Sequence, residues 1–304
     1  MASKFSSPLG QKIMNSVIKK EQKNMNRTAH TRRDFLKYAG IGAASLTLPC
    51  LLSSCKPDNK VQSHMCKAGK ARLHIVTLSF DDGFKKSSIR TAEIYEKYNL
   101  SACINVIATA HHKDFELPNE YHAWPAADFG LWNELKARGH EIMPHGYKHT
   151  DKAAMPFSQA KELILRCLDY FSRELKGFDR TEAVFNFPYN SSTPELEAWL
   201  PTVVRAFRTG GGGINPLPYK GQVKLTCTGF GPGNSEQHLN NEIEKLLAQD
   251  SGWLVYNLHG LDDEGWGPVR SSYLEELLER LLAIDSVVIM PAGKALQNFG
   301  SSRA

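Results

Sequence analysis

From residue 73 onward the chain alternates between two kinds of segment. Apolar, β-like runs fall at 73–79, 102–108, 140–144, 182–187, 203–208, 253–259 and 286–290. Patterns with helical period lie between most of them, at 85–98, 129–138, 158–175, 193–200, 236–249 and 271–284. A helix between two strands carries the chain back to its starting edge, so successive strands run parallel. The alternation predicts an α/β fold with a largely parallel sheet, doubly wound or closed as a barrel. In 158–175, apolar residues recur at 160, 163, 164, 167, 168, 171 and 175, a single helix face, with Ser158 as the expected N-cap. The stretch TGGGGINPLPYKGQ, 209–222, reads as a loop. It lacks the Lys-Ser/Thr of a phosphate loop and the G-x-G-x-x-G register, so no nucleotide is expected.

The 304 residues carry a net charge of +5, which invites a nucleic-acid reading until the charges are located. Residues 1–54 hold nine Lys/Arg and two acids, leaving 28 basic and 30 acidic residues of the totals 37 and 32. The body is slightly acidic, and a nucleic-acid partner is not expected. Within the leader, TRRDFLKYAGIGAASLTLPCLLSSC, Arg32 and Arg33 precede a small-residue-rich apolar run, the order of an export signal. That run is too short for a confident membrane span. The leader resembles a twin-arginine signal, and LSSC resembles a lipoprotein box. The resemblance implies cleavage before Cys55, lipid on its sulfur, and a membrane anchor in the periplasm or at the cell surface. The expected organisation is an export signal at 1–54, a polar tether at 55–70 and one domain at 71–304. Cys66, Cys103, Cys167 and Cys227 form no C-x-x-C, and Cys103 and Cys167 sit in apolar runs as plain buried thiols.

Parallel α/β folds gather ligands at the carboxyl ends of their strands. The first run, LHIVTLSFDDG, ends in Asp81 and Asp82. An Asp-Gly pair alone marks a turn. The third run, however, ends in HGYKH, with His145 and His149 four residues apart, and the sixth ends at His259. One carboxylate and two imidazoles with an open position suit a catalytic zinc ion. A second carboxylate is then free to take a proton from a water acidified by the cation. The adjacent acids divide the work, and Gly83 lets the backbone turn beneath them.

SFDDG, HGYKH, FPY and LHG, in this order, resemble the polysaccharide deacetylases of carbohydrate esterase family four, the NodB-homology domain. The resemblance spans about residues 71–298. It implies a distorted (β/α)7 barrel that removes acetyl groups from acetylated sugars, on nitrogen more often than on oxygen, with a divalent metal, Zn2+ by its ligands. It makes Asp81 the general base, and Asp82, His145 and His149 the metal ligands. His259 becomes the general acid, and the backbone N–H of Tyr189 an oxyanion donor. Tyr147, Trp266 and Asn186 are the expected substrate-side residues. Three departures stand out. Gly146 replaces the usual Ser or Thr. Asn186 replaces the usual Arg beside the base, which predicts a higher pKa for Asp81. No Asp-Trp element is evident in LTCTGFGPGN, leaving Asp262, Asp263 or another residue that the motifs do not mark to tune His259. Two other readings compete: a non-catalytic carbohydrate-binding relative, and a metal-dependent amidohydrolase acting on a small molecule.

The leader carries its own test. Cys55→Ala should move the protein from the membrane to the soluble fraction of fractionated cells; unchanged membrane association would exclude the lipid anchor.

Overall fold

The computed structural model describes residues 72–115 and 124–300. The leader, Cys55, the tether, Cys66 and residues 116–123 lie outside the described residues. No helix among the described residues is long and apolar enough to cross a membrane.

The elements in chain order are β1 (Leu73–Phe80), α1 (Lys85–Lys97), β2 (Cys103–Val106), α2 (Phe129–Ala137), β3 (Glu141–Pro144), α3 (Phe157–Glu174) and β4 (Val184–Asn186). There follow α4 (Pro194–Trp199), β5 (Ala206–Gly210), β6 (Ile214–Asn215), β7 (Lys224–Cys227), α5 (Ser235–Leu247), β8 (Ser251–Leu258), α6 (Ser271–Leu282), β9 (Val287–Ile289) and α7 (Ala292–Gly300). The seven expected runs all contain strands. Two more, β6 and β7, lie inside and just after the Gly/Pro-rich stretch. Their brevity hides any alternation from the sequence.

β1 is the axis of the fold. It pairs in parallel with β8 along its whole length, from Leu73↔Ser251 to Phe80↔Leu258. Its other edge is shared, by β9 at His74–Val76 and by β2 at Ser79–Phe80. β2 pairs with β3, and a second sheet runs β4-β5-β7, all parallel. Among the described strands only β6 is antiparallel, against β8. A single parallel bridge, Thr228↔Tyr256, joins the β7 side to β8. No ladder joins β3 to β4 among the described residues. The result is a distorted α/β barrel whose hydrogen-bonded ring is open at that seam.

The period-two alternation of each strand sorts its side chains into two environments. Val76, Leu78 and Phe80 of β1 face the helical shell with Ile104, Phe185, Phe207, Leu254 and Tyr256. The intervening Ile75 joins Val184, Ala206, Leu225, Trp253 and Val255 in a separate apolar cluster inside the ring, closed by Ala292, Ala295 and Leu296 of α7. Further along β1, Thr77 bonds the Met290 carbonyl at 2.7 Å and accepts from the Trp253 indole at 2.9 Å. Beyond it come Ser79 and Asp81. The interior therefore grades from apolar to ionic along a single strand.

α3 follows the expected stripe: Ala160, Ile164, Cys167, Leu168 and Phe171 are buried. It begins one residue earlier than expected, at Phe157, preceded by Pro156 with no side-chain cap, so Ser158 is not its N-cap. Cys103, Cys167 and Cys227 are free buried thiols. Glu141, buried at the start of β3, accepts from the Gly293 N–H at 3.0 Å and the Lys294 N–H at 3.1 Å. It thereby caps the first turn of α7 from another element. Glu141→Ala would strand both donors in the interior. It should lower unfolding free energy by about 1–3 kcal/mol, read as a lower urea midpoint with unchanged slope.

Candidate active site

The strand registers decide what meets at the open end. Phe80 lies opposite Leu258, so Asp81 and Asp82 emerge beside His259. Val106 lies opposite Pro144, which delivers His145 to the same level. The Asp81 N–H donates to the Leu258 carbonyl at 2.8 Å, and the His145 N–H to the Val106 carbonyl at 2.9 Å. Asp82 and Gly83 then take left-handed conformations in succession, φ 73° and 76°. An unforced aspartate does so at a cost of about 1–2 kcal/mol. This double reversal separates the two carboxylates, turning one into the barrel and the other across its mouth.

Asp82, His145 and His149 form a cluster whose ligand atoms all lie within 4.8 Å of one another. The Nε2 atoms of both histidines stand 3.4 Å from Asp82 Oδ1. That exceeds normal hydrogen-bond length, and this buried Oδ1 has no hydrogen-bond partner among the described residues. His145 Nδ1 lies 3.0 Å from the Asn186 carbonyl oxygen. A carbonyl can only accept, so Nδ1 carries a proton, which leaves Nε2 as the nitrogen that would face a cation. Burial pushes the His149 pKa down to about 4, which keeps that imidazole neutral and able to ligate. One carboxylate and two imidazoles around an orphaned oxygen fit a divalent cation.

Asp81 is held quite differently. Asn105 Nδ2 donates to Oδ1 at 2.7 Å, and Asn257 Nδ2 donates to Oδ2 at 2.7 Å. Arg208, on β5, grips both oxygens at 3.0 and 2.6 Å. Burial alone would raise the Asp81 pKa, but the Arg208 guanidinium overrides it and holds the carboxyl below its ordinary range. The sequence expectation of a raised pKa is therefore overturned. Asn186 is indeed uncharged, yet Arg208 is its register partner on the next strand. The positive charge has moved one strand over.

Asn186 itself is 2% exposed, and its amide donates to Asn105 Oδ1 at 2.9 Å and the Val184 carbonyl at 3.0 Å. It braces the floor of the site and does not face substrate, contrary to expectation. Its carbonyl and amide also reach His145 and, at 3.5 Å, the Pro144 carbonyl, so they stitch the open seam between β3 and β4. The Tyr147 ring is likewise occupied: Arg166 lies 4.4 Å over it and Tyr170 packs at 6.1 Å, both from α3. It is a packing residue and not a substrate wall. Gly146 has a local explanation. Its φ is +91°, and a Cβ there would stand 3.1 Å from Pro188 Cγ. Thr109 steadies the same loop by donating to the Tyr147 carbonyl at 2.7 Å. Buried Lys152 does so beyond His149, donating to Thr150 at 2.8 and 3.0 Å.

Tyr189 stands at the mouth, 48% exposed, its ring 4.6 Å from that of His149 and its backbone at φ 58°. On the far side, the Trp266 indole meets the His259 ring edge to face at 5.1 Å. Burial pushes the His259 pKa down, with Asp82 and Asp81 pulling the other way. Neither Asp262 nor Asp263 tunes it by contact. Asp262 caps α6 through the Ser271 N–H and hydroxyl at 2.8 and 2.6 Å, and Asp263 pairs with exposed Lys86 at 2.6 Å. Glu264, buried, accepts the Ser87 N–H in the first turn of α1, while Leu261 N–H donates to Ser87 Oγ at 2.9 Å. The acids of this loop tie His259 to the helix that follows the aspartates.

Residues 68–215 match the family model for polysaccharide deacetylase. The chain carries a polysaccharide deacetylase domain. No curated protein matches the sequence. Solved structures show the same fold at low identity. Puue allantoinase is 13% identical with a TM-score of 0.56, over 82% of this chain and 99% of that one. The Bc1960 peptidoglycan N-acetylglucosamine deacetylase is 13% identical with a TM-score of 0.52, over 77% and 92%. A family 4 acetyl xylan esterase from Clostridium thermocellum, solved with cobalt, is 16% identical with a TM-score of 0.51, over 73% and 90%. In this deacetylase domain Arg208, Asn105 and Asn257 are the residues that motif reading missed.

Removing the guanidinium would leave Asp81 as an unpaired buried charge. Arg208→Met should therefore lower unfolding free energy by about 3–5 kcal/mol, measured by chemical denaturation. A loss below about 1 kcal/mol would show that Asn105 and Asn257 suffice.

Proposed function

We propose that this protein is a metal-dependent hydrolase that removes acetyl groups, from nitrogen in preference to oxygen, on an acetylated oligo- or polysaccharide. The observation that carries the reading is the convergence of Asp82 Oδ1 with two imidazole nitrogens at the mouth of a deacetylase-type barrel. Asp82, His145 and His149 would hold the cation. A divalent ion there, zinc by its donors, supplies Lewis acidity that acidifies a water and polarises the acetyl carbonyl. His259 donates a proton to the departing sugar nitrogen or oxygen. The N–H of Tyr189, on its left-handed turn, supports the carbonyl oxygen as charge develops on it.

Aromatic surfaces border this centre, as recognition of a sugar face requires. Tyr189 lies on the His149 side and Trp266 beside His259. Phe230, 43% exposed, is stacked on His238 at 4.9 Å. The Ser235 hydroxyl sits within 3.3 Å of the Phe230, Gly231 and Gly267 carbonyls, so the turns carrying Phe230 and Trp266 are held together. An exported, lipid-anchored protein attached through Cys55 would meet such glycans outside the cytoplasm, in the periplasm or at the cell surface.

Acetate release from acetylated chitooligosaccharide and from acetylated xylan tests the reading. Release should stop with a chelator and return with zinc, and the chitooligosaccharide should be the better substrate. Asp82→Ala and His149→Ala should each lose bound zinc together with at least about 100-fold in turnover. Stoichiometric zinc with no release from either glycan would point away from this substrate class.

A further inference from the structure

A second set of ligand-type atoms meets where the connection between β2 and α2 packs on α3. His111 and His112 are neighbours in the turns after β2, and Tyr170 lies on α3. All three are half-buried. Both imidazoles turn Nε2 to one oxygen: Tyr170 Oη lies 2.8 Å from that of His112 and 3.4 Å from that of His111. The two imidazoles meet edge to face at 4.5 Å. Phe129 walls the trio, 5.9 Å from the His111 ring and 5.5 Å from the Tyr170 ring.

Hydrogen bonding accounts for only part of this arrangement. A phenol has a single proton. The 2.8 Å separation suits a hydrogen bond to His112, but 3.4 Å is too long for one to His111. His111 Nδ1 is buried and has no partner among the described residues. Neither nitrogen of this ring is well satisfied, and exceptions of that kind call for a reason. Metal coordination supplies one. Two ligand atoms each about 2.0–2.1 Å from one ion stand about 2.8–3.4 Å apart, the range between right and tetrahedral angles. The two separations at Tyr170 Oη fall at the limits of that range. The Asp82 cluster is spaced alike, 3.4 Å from its oxygen to each imidazole nitrogen.

The local charges agree. Burial, with His112, pushes the His111 pKa down, so the imidazole is neutral with a lone pair to give. Asp128 and Glu174 pull the other way, so the field at His111 welcomes added positive charge. Burial raises the Tyr170 pKa, so the phenol keeps its proton until an ion displaces it.

We propose that His111 Nε2, His112 Nε2 and Tyr170 Oη form a second cation site, for a divalent transition metal and most tightly for Cu2+. Imidazole nitrogen and phenolate oxygen suit that ion, which leads the divalent series in affinity and takes N and O donors in tetragonal geometry. On binding, the phenol O–H bond breaks and its proton passes to solvent. The oxygen keeps the electron pair and bonds the metal, and water fills the remaining positions. The ion would clip the β2–α2 connection to α3. It would do so beside Tyr147 of the HGYKH loop, whose ring packs on Tyr170 at 6.1 Å. None of this depends on the hydrolytic reading above.

Copper(II) titration of the full chain tests the site. The parent is the Asp82→Ala, His149→Ala double variant, which lacks two of the three mouth ligands. It should hold one Cu2+ per chain with a Kd of about 10 μM or tighter. The bound ion should show a visible phenolate-to-copper absorption band and two-nitrogen splitting in electron paramagnetic resonance. Adding Tyr170→Phe keeps the ring that packs on Phe129 and removes only the oxygen. It should abolish the band and weaken binding by at least about tenfold, since deleting a ligand costs no less than losing a group that orients one. His112→Gln, expected to remove one nitrogen from the splitting, serves the same purpose if Tyr170→Phe disturbs folding. A parent without the band, a Kd weaker than about 10 μM, or a band that survives Tyr170→Phe would overturn the site and leave the cluster as hydrogen bonding alone.

Discussion

The ion pair between Asp81 and Arg208 sets the terms for everything above it. Two opposite charges, 3% and 1% exposed, sit in a ring whose lower half is apolar. Desolvating them is costly, and only complete hydrogen bonding offsets that cost. The structure meets most of that demand with a buried polar residue on four strands, Ser79 on β1, Asn105 on β2, Asn186 on β4 and Asn257 on β8, and leaves Arg208 Nε without a partner among the described residues. Asn105, Asn186 and Asn257 each lie two residues beyond a buried apolar one, Cys103, Val184 and Val255. The pair thus dictates side-chain identity on four strands, and through Asn186 it reaches the histidine that faces the candidate cation.

This arrangement gives the two adjacent acids distinct characters. Asp81 points down and is saturated with donors. Asp82, reversed by a positive φ, points across the mouth with an oxygen that no hydrogen bond satisfies. Sequence neighbours with the same functional group become an anchor and a ligand because one backbone torsion differs. The orphaned oxygen is destabilising by itself. It becomes an asset only when a cation completes it, in keeping with the rule that buried unsatisfied groups mark functional sites.

Much of this was legible in the sequence because it follows from period and spacing. Alternating strand-like and helix-like runs gave a parallel α/β architecture, and DD, H-x-x-x-H and His259 at strand ends gave a constellation. What escaped reading was set by register between strands. Arg208 ends the apolar run 203–208, and only its register pairing with Asn186 brings it beside Asp81. A signal was present: the runs CINV, VFNF, AFR and VYNL each carry a single strongly polar residue, Asn105, Asn186, Arg208 and Asn257, near the strand end. Four such runs imply a polar layer inside a barrel. Tyr147 misled for a related reason. Its place between two histidines suggested substrate contact, but Gly146 turns the chain so that the ring meets α3.

The seam between β3 and β4 has a consequence for how the molecule comes together. Elsewhere the strands are joined by backbone pairing, which needs no particular side chain. Here the crossing is made by His145 and Asn186, residues of the site itself. Closing the ring and assembling the site are thus one event. A folding chain with this last gap open holds His145 apart from its brace and has no prepared place for an ion. The seam is thus a stretch of wall whose integrity depends on the identity of two side chains.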